Sequence, residues 1–126
     1  MGKRNSLLMR IFVIDDDEQT TNMLSKFLDG QGFETIVTND PIVGLEKIRR
    51  EHFDVILLDI NMPIVTGFGV LEMLAVGDIL KDQNIFIFSG THLPEIQLKN
   101  LLRKDGVNGF LKKPVDLEKL VNVISN

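Results

Sequence analysis

Asp15, Asp16, Asp59, Ser89 and Lys113 each stand at the end of a short apolar or β-rich run, and each is a residue type that phosphate chemistry uses. Carboxylates gathered at one place repel: at about 4 Å and an effective dielectric near 20, a charged pair costs on the order of 4 kcal/mol before solvent and counter-ions reduce it. A hard divalent cation relieves that cost, and carboxylate, carbonyl and water oxygens suit Mg²⁺ in particular. A carboxylate can also attack a phosphoryl group to give an acyl phosphate. The charge that develops on the phosphoryl oxygens must then be met by a cation and by hydrogen-bond donors. Lys113 and Ser89 are of the right types for those two roles. Taken singly, Asp59 reads equally well as a turn or helix cap, and Lys113 as a surface lysine. What makes them candidates is the prospect that one fold brings them together.

The elements that would do so are legible. Val55, Ile56, Leu57 and Leu58 precede Asp59 without a polar break, too short a run for a helix and the pattern of a strand buried on both faces. Further strands are expected over residues 10–14, 33–37, 85–88 and 108–111, the second alternating apolar and polar like a half-covered edge. Between them lie helical patterns. Met23, Leu24, Phe27 and Leu28 give the first its buried stripe, with Gly30 and Gly32 at its end. Asp40 and Pro41 read as the N-cap and first residue of the second, which buries Ile42, Leu45 and Ile48. The third is expected over residues 67–80, with Phe68, Val70, Leu71 and Leu74 inward. Pro94 opens the fourth, with Leu98, Leu101 and Leu102 on its apolar side, and Asp116 caps the fifth, which buries Leu117, Leu120, Val121 and Ile124. Regular strand–helix alternation implies parallel pairing through right-handed crossovers and a three-layer α/β sandwich. Parallel strands carry their carboxyl ends to one edge, where open α/β sheets bind ligands.

The composition narrows the class. A chain of 126 residues suits one domain, read as residues 10–126 behind a polar leader over residues 1–9. Cysteine is absent, which removes disulfides and thiolate metal sites and suits a cytoplasmic setting. The formal net charge of -4, with basic residues scattered, argues against direct nucleic-acid binding. No apolar stretch approaches the roughly 20 residues that span a bilayer, so no membrane association is expected. His52 and His92 stand alone without ligand-like spacing.

Four segments together resemble a known family. Residues 14–17 (IDDD), 58–63 (LDINMP) followed by Gly67, 88–90 (FSG) and 110–114 (FLKKP) occur in the order and spacing of the response-regulator receiver domains of bacterial two-component signalling. That resemblance implies a flavodoxin-like, doubly wound sandwich with strand order 2-1-3-4-5 and five helices. It implies that Asp59 is the phosphoacceptor, that Asp15, Asp16, Asp59 and the Asn61 backbone carbonyl hold Mg²⁺, and that Ser89 and Lys113 contact the phosphoryl group. Lys113 rather than Lys112 matches because it directly precedes Pro114. Phe110 falls at the family's switch aromatic, where many members carry Tyr, and would be core in any α/β domain. Asn61 and Thr91 fall at positions that tune dephosphorylation. The implied partners are a histidine kinase or phosphotransfer protein and an effector read through the face of the fourth helix, fifth strand and fifth helix, with the domain a monomer or a phosphorylation-dependent dimer. Such a domain is a regulatory acceptor rather than an enzyme. Other readings compete: an aspartate-nucleophile phosphatase, which would want a second Asp where Asn61 stands, and a receiver-like interaction module without phosphate turnover or a flavodoxin-like cofactor binder, the last opposed by the lack of a Ser/Thr/Gly-rich phosphate loop after the first strand.

Overall fold

Each apolar run of the sequence becomes a strand. The computed structural model describes residues 8–63 and 65–125; residues 1–7, most of the expected leader, lie outside them. The strands are Arg10–Ile14 (β1), Glu34–Thr38 (β2), Val55–Asp59 (β3), Ile85–Ser89 (β4) and Val107–Lys112 (β5). They alternate with helices Glu18–Gly30 (α1), Pro41–Arg50 (α2), Gly67–Val76 (α3), Glu95–Leu102 (α4) and Leu117–Ser125 (α5). All strand pairs are parallel and the sheet order is β2-β1-β3-β4-β5, the flavodoxin-like doubly wound arrangement.

The sheet separates two apolar layers. On one face Phe12, Ile14, Ile56, Leu58, Ile85 and Ile87 pack under α2, α3 and α4. On the other, Ile11, Val13, Val55, Leu57 and Phe88 pack under α1 and α5. Central β3 is buried at every residue, as its unbroken apolar run requires, whereas β2 at the edge is only half-buried. No described helix is long and apolar enough to cross a membrane.

Local chemistry sets the boundaries. Asp17, Asp40 and Thr66 each accept a backbone N–H at the start of a helix, and Asp116 accepts those of Glu118 and Lys119 ahead of α5. The third helix is shorter than expected, ending at Val76 rather than near residue 80. Asp78 takes a left-handed φ of 60° there, and the Ile79 N–H turns back to the Leu74 carbonyl, so the apolar Ile79 and Leu80 begin a separate 3₁₀ turn, Leu80–Asp82. Three expected core residues are exposed: Met23, Ile42 and Leu102 each flank the buried stripe of a helix that rests on the sheet along one narrow line. Before β5, Gly106 has φ 97°, and a Cβ there would sit 1.9 Å from the Leu80 carbonyl oxygen. Only glycine lets that turn lie against the 3₁₀ segment.

Candidate functional site

The order β2-β1-β3 makes the gap between β1 and β3 a topological switch point, the crevice where doubly wound sheets take ligands. Asp15 follows β1 directly and is fully buried, Asp16 beside it is exposed, and Asp59 ends β3 with 2% of its surface exposed. One carboxylate oxygen from each of the three lies within 4.8 Å of the others. Lys113, just past β5, reaches across the sheet edge: its Nζ donates to Asp15 Oδ2 at 2.8 Å and stands 3.6 Å from Asp59 Oδ2. It also lies 4.9 Å from the centre of the Phe88 ring. Lys112 is exposed.

A second cluster lies over Asp59. The Asn61 backbone N–H donates to Asp59 Oδ1 at 3.1 Å, while its side-chain amide donates to Ser89 Oγ at 2.8 Å and to the Thr91 hydroxyl. Ser89 Oγ also accepts the Thr91 N–H and faces the Thr91 carbonyl, so the buried hydroxyl is fully engaged by Asn61 and Thr91. Phe110 is half-buried on β5 and pairs with Ile87, two residues before Ser89 on the same strand. Thus every candidate residue except Phe110 gathers at one rim, and Phe110 sits one pleat below it.

Two contributors escape a reading by residue type. Asn39, just past β2, donates its side-chain N–H groups to the Asp15 carbonyl at 2.8 Å and to Thr21 Oγ1 at 2.9 Å. Its place at a strand end was the available signal. Gly67 enters the sequence pattern only as the residue that follows the 58–63 segment; a Cβ there would meet the Asp59 carbonyl oxygen at 2.6 Å, so α3 can start this close behind Asp59 only because the residue has no side chain.

Comparison with known proteins agrees with this geometry. The sequence matches the family described as the response regulator receiver domain over residues 11–125. The chain belongs to that family. As a receiver domain of two-component signalling, it is 28% identical over 117 residues to the CAI-1 autoinducer sensor kinase/phosphatase CqsS of Vibrio cholerae, covering 92% of this chain and 17% of that protein. It is 29% identical over 117 residues to the two-component response regulator ARR10 of Arabidopsis thaliana, covering 91% of this chain and 20% of ARR10. The chain therefore spans about a fifth or less of the length of these two curated relatives. By contrast it spans 93% of the polar-differentiation response regulator DivK of Brucella ovis, covering 92% of this chain at 24% identity. Among solved structures, the chemotaxis protein CheY4 of Vibrio cholerae superposes with a TM-score of 0.81 at 28% identity, covering 94% of this chain and 97% of that one.

Electrostatics in the receiver domain follow from burial and like charge. Burial pushes the Asp59 carboxyl up to about 6 from its ordinary 3.8; the Asp15 charge adds to this, while the Asn61 N–H and Lys113 oppose it. Asp16 is also raised, by partial desolvation and then by Asp15. Lys113 is raised as well, because its two carboxylate partners outweigh the effect of burial. A folded-state value above the unfolded one means that protonation favours folding. Stability from Asp59 is therefore complete below about pH 4 and is lost as pH rises through about 6. The measurable result is a crossover. Chemical denaturation without metal should give Asp59→Asn a stability matching wild type in mild acid and exceeding it at neutral pH. A constant difference across that range would contradict the assigned shift.

The same repulsion yields a second expectation. Asp16→Asn removes an exposed like charge from the cluster, so the metal-free variant should be as stable as wild type or more so, while its Mg²⁺ affinity falls at least tenfold. A loss of several kcal/mol in denaturant without metal would show that Asp16 supports the fold instead.

Proposed function

We propose that this domain is a phosphorylation-dependent switch that accepts a phosphoryl group on Asp59 from the phosphohistidine of a kinase or phosphotransfer protein. The observation that carries this reading is the meeting of three carboxylates and one ammonium at the mouth between β1 and β3. An all-oxygen acidic set of this kind fits a hard divalent cation. Asp15, Asp16, Asp59 and the Asn61 carbonyl would hold Mg²⁺, which when bound supplies positive charge for the transferring oxygens.

The remaining work belongs to the chain. An Asp59 carboxylate oxygen attacks phosphorus, the P–N bond to the donor imidazole breaks, and the electron pair leaves on the ring nitrogen. Lys113, compact and cationic, neutralises an equatorial oxygen. The acyl phosphate adds up to about two negative charges at Asp59, which draws the Ser89 hydroxyl away from Thr91 and toward the phosphoryl group. Phe110 repacks into the space that opens beside Ile87, by ring packing alone because it lacks the hydroxyl of Tyr. The surface of α4, β5 and α5 shifts in consequence, and an effector, or a second phosphorylated copy, that prefers the new surface reads the signal. Asn61 and Thr91 set the lifetime of the acyl phosphate by controlling access of water. In this reading the domain works in the cytoplasm and binds neither membrane nor nucleic acid directly.

Incubation with acetyl phosphate and Mg²⁺ tests the acceptor chemistry by intact mass. One phosphoryl group should be gained with Mg²⁺ and essentially none with EDTA. Equal gain without metal would contradict the proposal, and no gain in either condition would leave the interaction module as the better reading.

A further inference from the structure

We propose that Asn39 is a positioning residue for the acidic cluster, setting its affinity for a divalent cation without touching the ion. The inference rests on the proposed Mg²⁺ role of Asp16 and Asp59 and concerns how Asp16, the exposed member, is held. Asp16 lies in the short turn between β1 and α1, so its carboxylate goes where the backbone of residues 15–17 puts it.

After Asp16 that backbone is held by the Asp17 N–H, which donates to Asp15 Oδ1 at 3.0 Å, and by the Asp17 carbonyl, which accepts the Thr21 N–H at 3.1 Å. Asp15 N–H bonds the Thr38 carbonyl at 3.2 Å, anchoring the amino side of Asp15 to β2. The peptide that joins Asp15 to Asp16 is anchored on its carbonyl by Asn39, whose side-chain amide donates there at 2.8 Å. The same amide nitrogen donates to the hydroxyl of Thr21, which is 1% exposed on α1 and itself donates to the Glu18 carbonyl. One uncharged group with two N–H donors therefore ties the end of β2, the end of β1 and the first turns of α1 together. A hydroxyl has a single proton to give and a carboxylate has none, so an amide is the side chain that can make both bonds without adding charge. Losing the Asn39 bonds leaves the Asp15–Asp16 carbonyl without its side-chain donor and widens the range of orientations of that peptide between the ties that remain on Asp15 and Asp17; narrowing it again must then be drawn from cation binding, which lowers affinity.

The test uses the full chain with Mg²⁺ alone, its affinity read from amide shifts of residues 15, 16 and 59 in an NMR titration of folded protein. Asn39→Ala should bind about tenfold more weakly than wild type, the size seen when a group supporting metal ligands is removed. Asn39→Ser, with one donor and a shorter reach, should fall between and covers the case in which the alanine variant does not fold. Stability in EDTA is measured in parallel, because a merely structural role would move stability and leave the Mg²⁺ affinity of the folded protein unchanged. Unchanged affinity in Asn39→Ser and in folded Asn39→Ala, with wild type binding normally, overturns this inference and leaves the proposed function standing. Failure of wild type to bind Mg²⁺ overturns both.

Discussion

Asp59→Asn is expected to leave a folded domain that takes up no phosphoryl group from acetyl phosphate with Mg²⁺ under conditions that label wild type fully. Asn has the same shape and keeps an oxygen for the Asn61 N–H, now 3.1 Å from Asp59 Oδ1, so the β3–α3 loop has no reason to rearrange. Burial holds the Asp59 carboxyl up at about 6, and the substitution deletes the charge that burial and Asp15 disfavour, so stability at neutral pH should rise rather than fall. Acceptance, however, needs an oxygen nucleophile with a full negative charge, which a carboxamide lacks. Loss of labelling together with unchanged or improved stability separates a chemical role from a structural one. Labelling equal to wild type would mean that another carboxylate is the acceptor.

Lys113→Ala should be costly in both respects. Asp15 is fully buried, and among the described residues Lys113 is the cation paired with it, at 2.8 Å. Removing one partner of a buried pair typically costs about 3–5 kcal/mol because the other charge is stranded. With the ammonium side chain still 24% exposed, the low end of that range, about 3 kcal/mol, is expected. The cost should shrink as pH falls through about 6, where Asp59 takes up a proton and the stranded charge is reduced, and shrink again on adding Mg²⁺, which replaces part of the lost charge. Denaturation in EDTA across pH, then with Mg²⁺, reads both effects. Labelling should slow by at least about a hundredfold, the usual cost of removing one group that meets charge in a transition state. A stability change below about 1 kcal/mol would place this pair with ordinary surface ion pairs. Lys113→Arg should recover most of the stability and less of the rate, since a planar guanidinium is a poorer substitute for a compact point charge.

Much of the fold could be read from the chain because its strands are short, apolar and regularly spaced. Val55 to Leu58 leave no polar face, and Asp40-Pro41 is an N-terminal signal that local chemistry honours. Where the reading failed, tertiary contact decided. The third helix stops at Val76 because Gly77 and the left-handed Asp78 turn the chain, although Ile79 and Leu80 continue the apolar pattern. Ile42, Met23 and Leu102 are apolar and correctly spaced, yet each lies to one side of the line along which its helix meets the sheet.

The site was legible for a different reason. Parallel strands of similar length end at one edge, so Asp15, Asp16, Asp59, Ser89 and Lys113 meet whatever their separation in sequence. Pairings within the edge were not legible. Lys113 approaches Asp15 more closely than Asp59, at 2.8 Å against 3.6 Å, although β3 and β4 lie between β5 and β1 in the sheet. The Asn61 amide spans Ser89 and Thr91, and Asn39 spans Asp15 and Thr21, through side-chain torsions that no spacing encodes.

The proposed switch has a single acceptor residue, Asp59, beside its proposed cation site, and the most direct measurement finds where the phosphoryl group goes. An acyl phosphate is cleaved by borohydride, which reduces the modified aspartate to homoserine, and sequencing the peptides by mass spectrometry locates it. After treatment with acetyl phosphate and Mg²⁺, homoserine is predicted at position 59 and at no other carboxylate. Homoserine at Asp15 or Asp16, or a phosphoryl group retained through reduction on a hydroxyl side chain, would contradict it.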